Sequence, residues 1–326
     1  MFDVWLLTRS YTAKYEELMR AEELAINIDT HISIWTPMNI RSGFNKLGIY
    51  AGVYRITDLP NLPLPKLVID TCPAWLDVEA KTLLDIEANG TIVINNATSH
   101  IKYHDKWNQA EMLMREGINF SKTVKIDLPL KREKIEFLKS QLEDLRIEIG
   151  YPLVIKARST GDAQAVFKCM NEEDAFNACM ILYDMKSDYG YVRVPVGTQW
   201  PASVIAQKYV DHKISGMGIL RVHVVGFKAM AAQQRTPINE TDFFVSNRLE
   251  NSYRRKFIIP HDLAKLCELA CQKLNLAMAT LDVMHDGEKY IIIELNTNGG
   301  FKQLSISNPH LDLGFEIAKY ASGYIK

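Results

Sequence analysis

The chain has 326 residues, a length that fits about two domains, and 47% of them are apolar, enough for sizeable cores. With 38 basic and 39 acidic side chains it is close to neutral, which argues against a general nucleic-acid binder and a polybasic membrane anchor. Five cysteines without a CxxC pair fit a reducing compartment, and Cys267 and Cys271 read as small core side chains on one helix face rather than metal ligands. No apolar run approaches the ~20 residues of a membrane span. The opening MFDVWLLTRSY is too short an apolar run for a secretion signal, so a cytoplasmic protein is expected.

In chain order, Val4–Leu7 reads as a strand, followed by a helix with Leu18, Ala21, Leu24 and Ala25 on one face. His31–Trp35 reads as a strand, Gly48–Ile56 as a strand pair, and Lys66–Asp70 as a buried strand after the loop LPNLPLP. A helix from about Pro73 to Ala88 stops at Asn89-Gly90, and Thr91–Asn95 is the next strand. This βαβ order implies a small parallel sheet, and the missing GxGxxG turn argues against a dinucleotide site there.

From about residue 100 the pattern changes. His104–Gly117 reads as a helix, KTVKIDL as a strand, and Lys131–Ile149 as a surface helix closed by Gly150-Tyr151-Pro152. PLVIKARSTGDAQAVFKCM reads as strand, polar loop and strand, and a helix runs from Asn171 to about Asp184. Past a second soft boundary near 190 come the strand SVIAQKYV, a hairpin ILRVHVVGFKAMAAQQR turning at Gly226-Phe227, and a helix over Pro260–Leu274. A strand pair within LDVMHDGEKYIIIELN and a helix from about Leu311 complete an α/β (α+β) chain.

Three features carry chemistry. IIIELN is an apolar strand ending in Glu294 and Asn296, which two-residue spacing sends to one side. A carboxylate and an amide carbonyl facing one way are oxygen ligands for a magnesium–nucleotide complex, with Asp282 on the partner strand as a third. Lys156 ends the apolar run PLVI, where burial of its charge calls for an anion, and the loop after it offers backbone N–H groups and the Ser159 and Thr160 hydroxyls. Lys106 stands near a helix N-terminus, where a cation opposes the helix dipole unless an anion sits nearby. Alone, each reads more simply as a solvated strand end or surface lysine.

Together, and in this order, they resemble the ATP-grasp superfamily and within it the RimK-like amino-acid ligases. The opening LLTRS, the stretch NNATSHIKYHDK, the strand IAQKYV, the hairpin LRVHVVGFKAMAAQQR, the stretch DFFVSN and finally LDV with ELN carry the resemblance over nearly the whole chain. It implies a pre-ATP-grasp Rossmann-like domain over 1–100, a small ATP-grasp subdomain over 101–190 and a large subdomain with the metal site over 191–326. It implies that Lys106, Lys156, Ser159, Thr160, Gly161, Gln207, Lys208, Tyr209 and Val210 hold ATP. It also implies that Asp282, Glu294 and Asn296 bind Mg²⁺ or Mn²⁺, and that Arg221, Arg235 and Asn247 act on the phosphates or the acyl phosphate.

The implied reaction is ATP-dependent carboxylate–amine ligation, an amide or peptide bond formed through an acyl phosphate with release of ADP and phosphate. Its partners are an amino-acid or peptide carboxylate and an amine, with no nucleic acid or membrane, and a homo-oligomer is compatible. A thiol acceptor, or a nucleotide-binding scaffold without turnover, are the competing readings. Departures from the family pattern lie in the phosphate loop, where Gly161 stands with Ala163 and Ala165, at Ile219 two residues before Arg221, and in RLENSYRRK after the SN pair. The run Arg254, Arg255, Lys256 reads as a solvated face.

The metal reading makes a geometric demand. A two-residue turn at Asp286-Gly287 opposes Asp282 to Ile291 and leaves Glu294 on the other face. A three-residue loop of Gly287, Glu288 and Lys289, or a β-bulge, sets Asp282 opposite Glu294 instead.

Overall fold

The computed structural model describes residues 3–8, 28–56, 59, 63–71, 77–128, 135–158, 166–188, 203–237, 252–297 and 301–325. The expected helix through Leu18 and Ala25, the loop residues Ser159, Thr160 and Gly161, and Asn247 lie outside the described residues.

Strands β1 (Val4–Thr8), β2 (Ala51–Arg55), β3 (Leu67–Asp70) and β4 (Ile92–Ile94) form a parallel sheet in the order β2-β1-β3-β4. The apolar runs of β1 and β3 are buried throughout, as expected of central strands covered on both faces. His31–Trp35, read as a strand, lies instead in the helix Ile28–Lys46. Ile32 and Ile34 alternate locally, but parallel β1 and β2 need a crossover between them, and this helix provides it. Its later turns bury Ile40 and Phe44, while Gly43 meets the helix Leu313–Ser322, where a Cβ would fall 2.6 Å from the Gly314 carbonyl oxygen. Gly48–Ile56 supplies one strand rather than a pair.

A second sheet is antiparallel, in the order β5-β8-β6-β7, from β5 (Thr123–Asp127), β6 (Leu153–Lys156), β7 (Val166–Cys169) and β8 (Ser203–Lys208). The helices Ile135–Glu148 and Glu172–Asp188 contribute Leu138, Leu142, Leu145, Ala175, Cys179 and Leu182 to its core, spaced so that each set lies on one helix face. β8 falls within the last of the three expected segments yet is hydrogen-bonded into the sheet of the middle one.

The third sheet, in the order β11-β10-β9-β12-β13, is also antiparallel. It consists of β9 (Ile219–Val225), β10 (Lys228–Pro237), β11 (Ser252–Phe257), β12 (Met278–His285) and β13 (Tyr290–Asn296). β9 and β10 close at Gly226-Phe227 with φ of 57° and 62°, the double left-handed conformation of a tight hairpin turn. Gly226 also lies against a ring, since a Cβ there would sit 2.4 Å from Tyr320. One face of the sheet is apolar, with Leu220, Val222, Val224, Leu281, Val283 and Ile292 packed under the helix His261–Lys273. Cys267 and Cys271 are fully buried in that core, as their spacing predicts. The alternate residues, including Arg221, His223, Gln233, Arg235, Thr280, Asp282 and Glu294, form the opposite face.

Candidate active site

The site is built on that polar face. Asp282 is paired with Arg221 on one side and with Glu294 on the other. The pairing of Asp282 with Glu294 depends on a bulge. The β12–β13 register runs His285 to Tyr290, Met284 to Ile291 and Val283 to Ile292, then shifts so that Asp282 meets Glu294. Neither turn weighed from the sequence closes the hairpin. The Asp286 amide donates to the Lys289 carbonyl at 3.2 Å around Gly287 and Glu288, and the extra residue, Ile293, restores the parity. The displaced Ile293 carbonyl accepts hydrogen bonds from Lys156 Nζ at 3.3 Å and Gln207 Nε2 at 3.2 Å.

Arg221 grips Asp282 with two hydrogen bonds, Nε to Oδ1 at 2.7 Å and Nη2 to Oδ2 at 2.6 Å. Burial acts to raise the Asp282 pKa, but the charge and hydrogen bonds of Arg221 outweigh it and hold the carboxyl below its ordinary value. Glu294 lies 3.5 Å from Lys106 Nζ and 3.9 Å from Lys156 Nζ, so segments far apart in sequence converge on one carboxylate. Lys156 is buried and also donates to Gln207 Oε1 at 3.1 Å. Its burial, opposed by Glu294 and assisted by Lys106, brings its pKa down to about 8. Asn296 follows two residues after Glu294 on β13, opposite Thr280.

Sequence reasoning missed the tie between the two lysine segments. Asp105 caps the helix Lys106–Arg115, its Oδ1 accepting from the Trp107 amide at 2.8 Å. The same carboxylate is clamped by Arg158, through Nε to Oδ1 at 3.1 Å and through Nη2 to Oδ2. The Lys106 amide donates to the Arg158 carbonyl at 2.9 Å. An aspartate before a helix was a legible cap, but nothing local marked Arg158 as its partner.

The IAQKYV strand divides its residues. The Gln207 side chain bridges Lys156, Thr123 Oγ1 at 3.1 Å and the Ile293 carbonyl, so it braces the lysine. Lys208 is exposed, while Lys168 Nζ sits 4.1 Å from the Tyr209 ring centroid. Val210 packs with Ile219 and Met284, joined by Tyr209, Ile291 and Ile293, in an apolar patch beside the lysines. Ile219, a departure from the family pattern, therefore packs with the side chain of an expected nucleotide-binding residue.

Arg235 is buried on β10 and donates from Nε to Gln233 Oε1 at 3.2 Å. Arg254 stands opposite it on β11 and is half-buried, while Arg255 and Lys256 are exposed, so the basic run is only in part a solvated face. Burial first, and repulsion from Arg221 second, lower the Arg235 pKa to about 9 and depress Arg254 in the same way. Arg221, Arg235, Arg254, Lys106 and Lys156 thus surround two carboxylates, Asp282 and Glu294, an excess of cations suited to a polyanionic ligand. Asp282, Glu294 and Asn296 carry oxygen donors of the type a hard cation takes, on adjacent strands and one face, with both Asp282 oxygens accepting from Arg221 here.

Residues 103–320 match the RimK-like ATP-grasp domain. The chain is 19% identical over 238 residues to a probable alpha-L-glutamate ligase of Haemophilus influenzae, covering 73% of this chain and 69% of the relative. It resembles a RimK domain ATP-grasp protein from Sphaerobacter thermophilus with a TM-score of 0.65 at 16% identity, over 98% of each chain. It also resembles the ATP-grasp ligase PsnB complexed with a precursor variant, Mg and ADP, with a TM-score of 0.64 at 12% identity over 100% of this chain and 99% of that one. The chain belongs to the RimK-like ATP-grasp family of carbon–nitrogen ligases.

Proposed function

We propose that this ligase joins an amino-acid or peptide carboxylate to an amine at the face formed by Asp282, Glu294, Lys106 and Lys156. A carboxylate oxygen attacks the γ-phosphorus of ATP, the bond to the β–γ bridging oxygen breaks, and ADP leaves. The amine nitrogen then attacks the acyl carbon, phosphate departs with the C–O electron pair, and the surplus proton passes to solvent. In such transfers the protein's main contribution is positioning and neutralisation of charge.

Lys106 and Lys156 exchange Glu294 for phosphate oxygens when nucleotide binds, and the patch of Val210, Ile219 and Met284 offers an apolar wall to the base. Asp282, Glu294 and Asn296 would hold Mg²⁺ or Mn²⁺, which when bound neutralises charge on the phosphates. Arg221 and Arg235 hold the acyl phosphate, a task for which paired guanidinium N–H groups are shaped. Asn247 and the loop of Ser159, Thr160 and Gly161 complete the set.

The observation that carries this reading is the convergence of both lysines on Glu294, directly opposite Asp282. Amino-acid chemistry is supported by the glutamate in the name of the Haemophilus relative and the precursor bound to PsnB. The test is a phosphate-release screen over amino-acid and peptide pairs, with mass spectrometry of the products. ADP release that depends on an added carboxylate, together with an amide product, is expected. Nucleotide binding without such release would leave a scaffold instead.

A further inference from the structure

His223 lies on this polar face outside the lysine cluster and the arginine–aspartate pair. His223 follows Arg221 by two residues on β9, so both side chains leave the same side of the sheet. Its residue is 3% exposed, and its Nδ1 lies 3.0 Å from Thr280 Oγ1, itself on a residue 1% exposed. Its Nε2 is buried and has no hydrogen-bond partner among the described residues. The ring packs edge-on to Phe301, with centroids 5.6 Å apart.

The Thr280 hydroxyl can donate its hydrogen to Nδ1 or accept one from it, and the donating arrangement is the one that places the ring proton on Nε2. In that tautomer Nε2 is a buried N–H donor near the Arg221 guanidinium. A buried donor without an acceptor is costly, and native proteins rarely keep one without a use. Burial and the neighbouring Arg221 charge hold the ring neutral, with a pKa of about 4. The donor is therefore suited to an oxygen acceptor, and a negatively charged oxygen is the kind that Arg221 also attracts.

We propose that His223 is a substrate-contacting residue, whose Nε2–H donates a hydrogen bond to an oxygen of the carboxylate substrate beside Arg221. This rests on the ligase reading and deepens it, because it makes the site discriminate between substrates. A site that supplies a buried donor rejects ligands lacking the matching acceptor far more strongly than an apolar pocket rejects a change of size.

The test uses the full chain with Mg²⁺ and ATP, a panel of amino acids with acetate as carboxylate probes, and ADP release as readout. His223→Phe is expected to raise KM for the best carboxylate by about tenfold or more, leaving KM for ATP within about twofold. His223→Gln, which keeps a donor, is expected to recover part of that loss. Long-range ¹H–¹⁵N spectra of the wild type, loaded with a non-hydrolysable ATP analogue, should show Nε2 protonated and shifted by that carboxylate. An unchanged carboxylate KM in both variants, or an Nε2 resonance that ignores the saturating carboxylate, overturns the proposal while leaving the ligase reading in place. A wild type that releases no ADP with any carboxylate overturns both.

Discussion

Asp282 and Glu294 stand directly opposite one another on β12 and β13 only because Ile293 is inserted as a bulge, and the carbonyl of that extra residue is bonded to Lys156 and Gln207. One irregularity therefore aligns two carboxylates and anchors a lysine. Glu294→Gln should weaken Mg-ATP binding by about tenfold or more, with a much smaller effect on ATP measured in EDTA. Calorimetry with and without the metal makes the comparison, and equal losses in both would remove the metal role.

Arg221 and Asp282 should behave as a buried pair that is costly to break from one side. Arg221→Ala leaves the Asp282 carboxylate buried with its bidentate partner gone, and about 3–5 kcal/mol of stability should be lost. The double variant Arg221→Ala/Asp282→Asn should regain a good part of that loss, since no charge is then left stranded. Urea unfolding of the four proteins in the cycle measures it, and additive losses would show that the pair is not coupled.

Lys106→Ala and Lys156→Met should each weaken ATP binding without unfolding the protein. Lys156 is the more telling case, because burial has already brought its pKa down to about 8. Below that value the folded state holds a buried charge that the unfolded chain solvates. That penalty disappears as pH rises from about 8 towards the ordinary lysine value near 10.4. Lys156→Met should therefore gain stability relative to wild type at pH 7, with the gap narrowing by pH 10, as followed by thermal unfolding. Unchanged ATP affinity in both lysine variants would remove the phosphate assignment.

Arg235→Lys should lose turnover by a larger factor than ATP affinity. Its neighbours Arg221 and Arg254 make a site that favours an anion, and a contact made to the acyl phosphate strengthens only as the reaction proceeds. Steady-state rates set beside calorimetric ATP affinity test this, and equal losses would make Arg235 a plain nucleotide contact.

His223 should also make the ligand-free protein acid-sensitive. Its folded pKa of about 4 lies below the ordinary histidine value of about 6.5, so its contribution is fully present above that value and is lost as pH falls towards 4. Between pH 7 and pH 5 that amounts to about 2 kcal/mol, and His223→Phe should remove this part of the slope. Parallel pH–stability curves for wild type and variant would contradict it.

Local pattern in the sequence determined much of this protein. Continuous apolar runs marked β1 and β3 as buried parallel strands, Gly226-Phe227 marked its hairpin, and the polar end of IIIELN marked Glu294 and Asn296 as possible ligands. These features are legible because each depends on residues within a turn or a strand of one another. Only the tertiary structure decided the rest. Ile32 and Ile34 alternate like a strand, yet the crossover between β1 and β2 makes them helical. Asp105 meets Arg158, Lys156 meets Gln207, and Gln109 bonds to the Leu295 carbonyl at 2.7 Å across 186 residues of chain. Such pairings are chosen by how whole sheets pack, and a one-residue bulge reverses which face a side chain takes without leaving any mark in the local pattern.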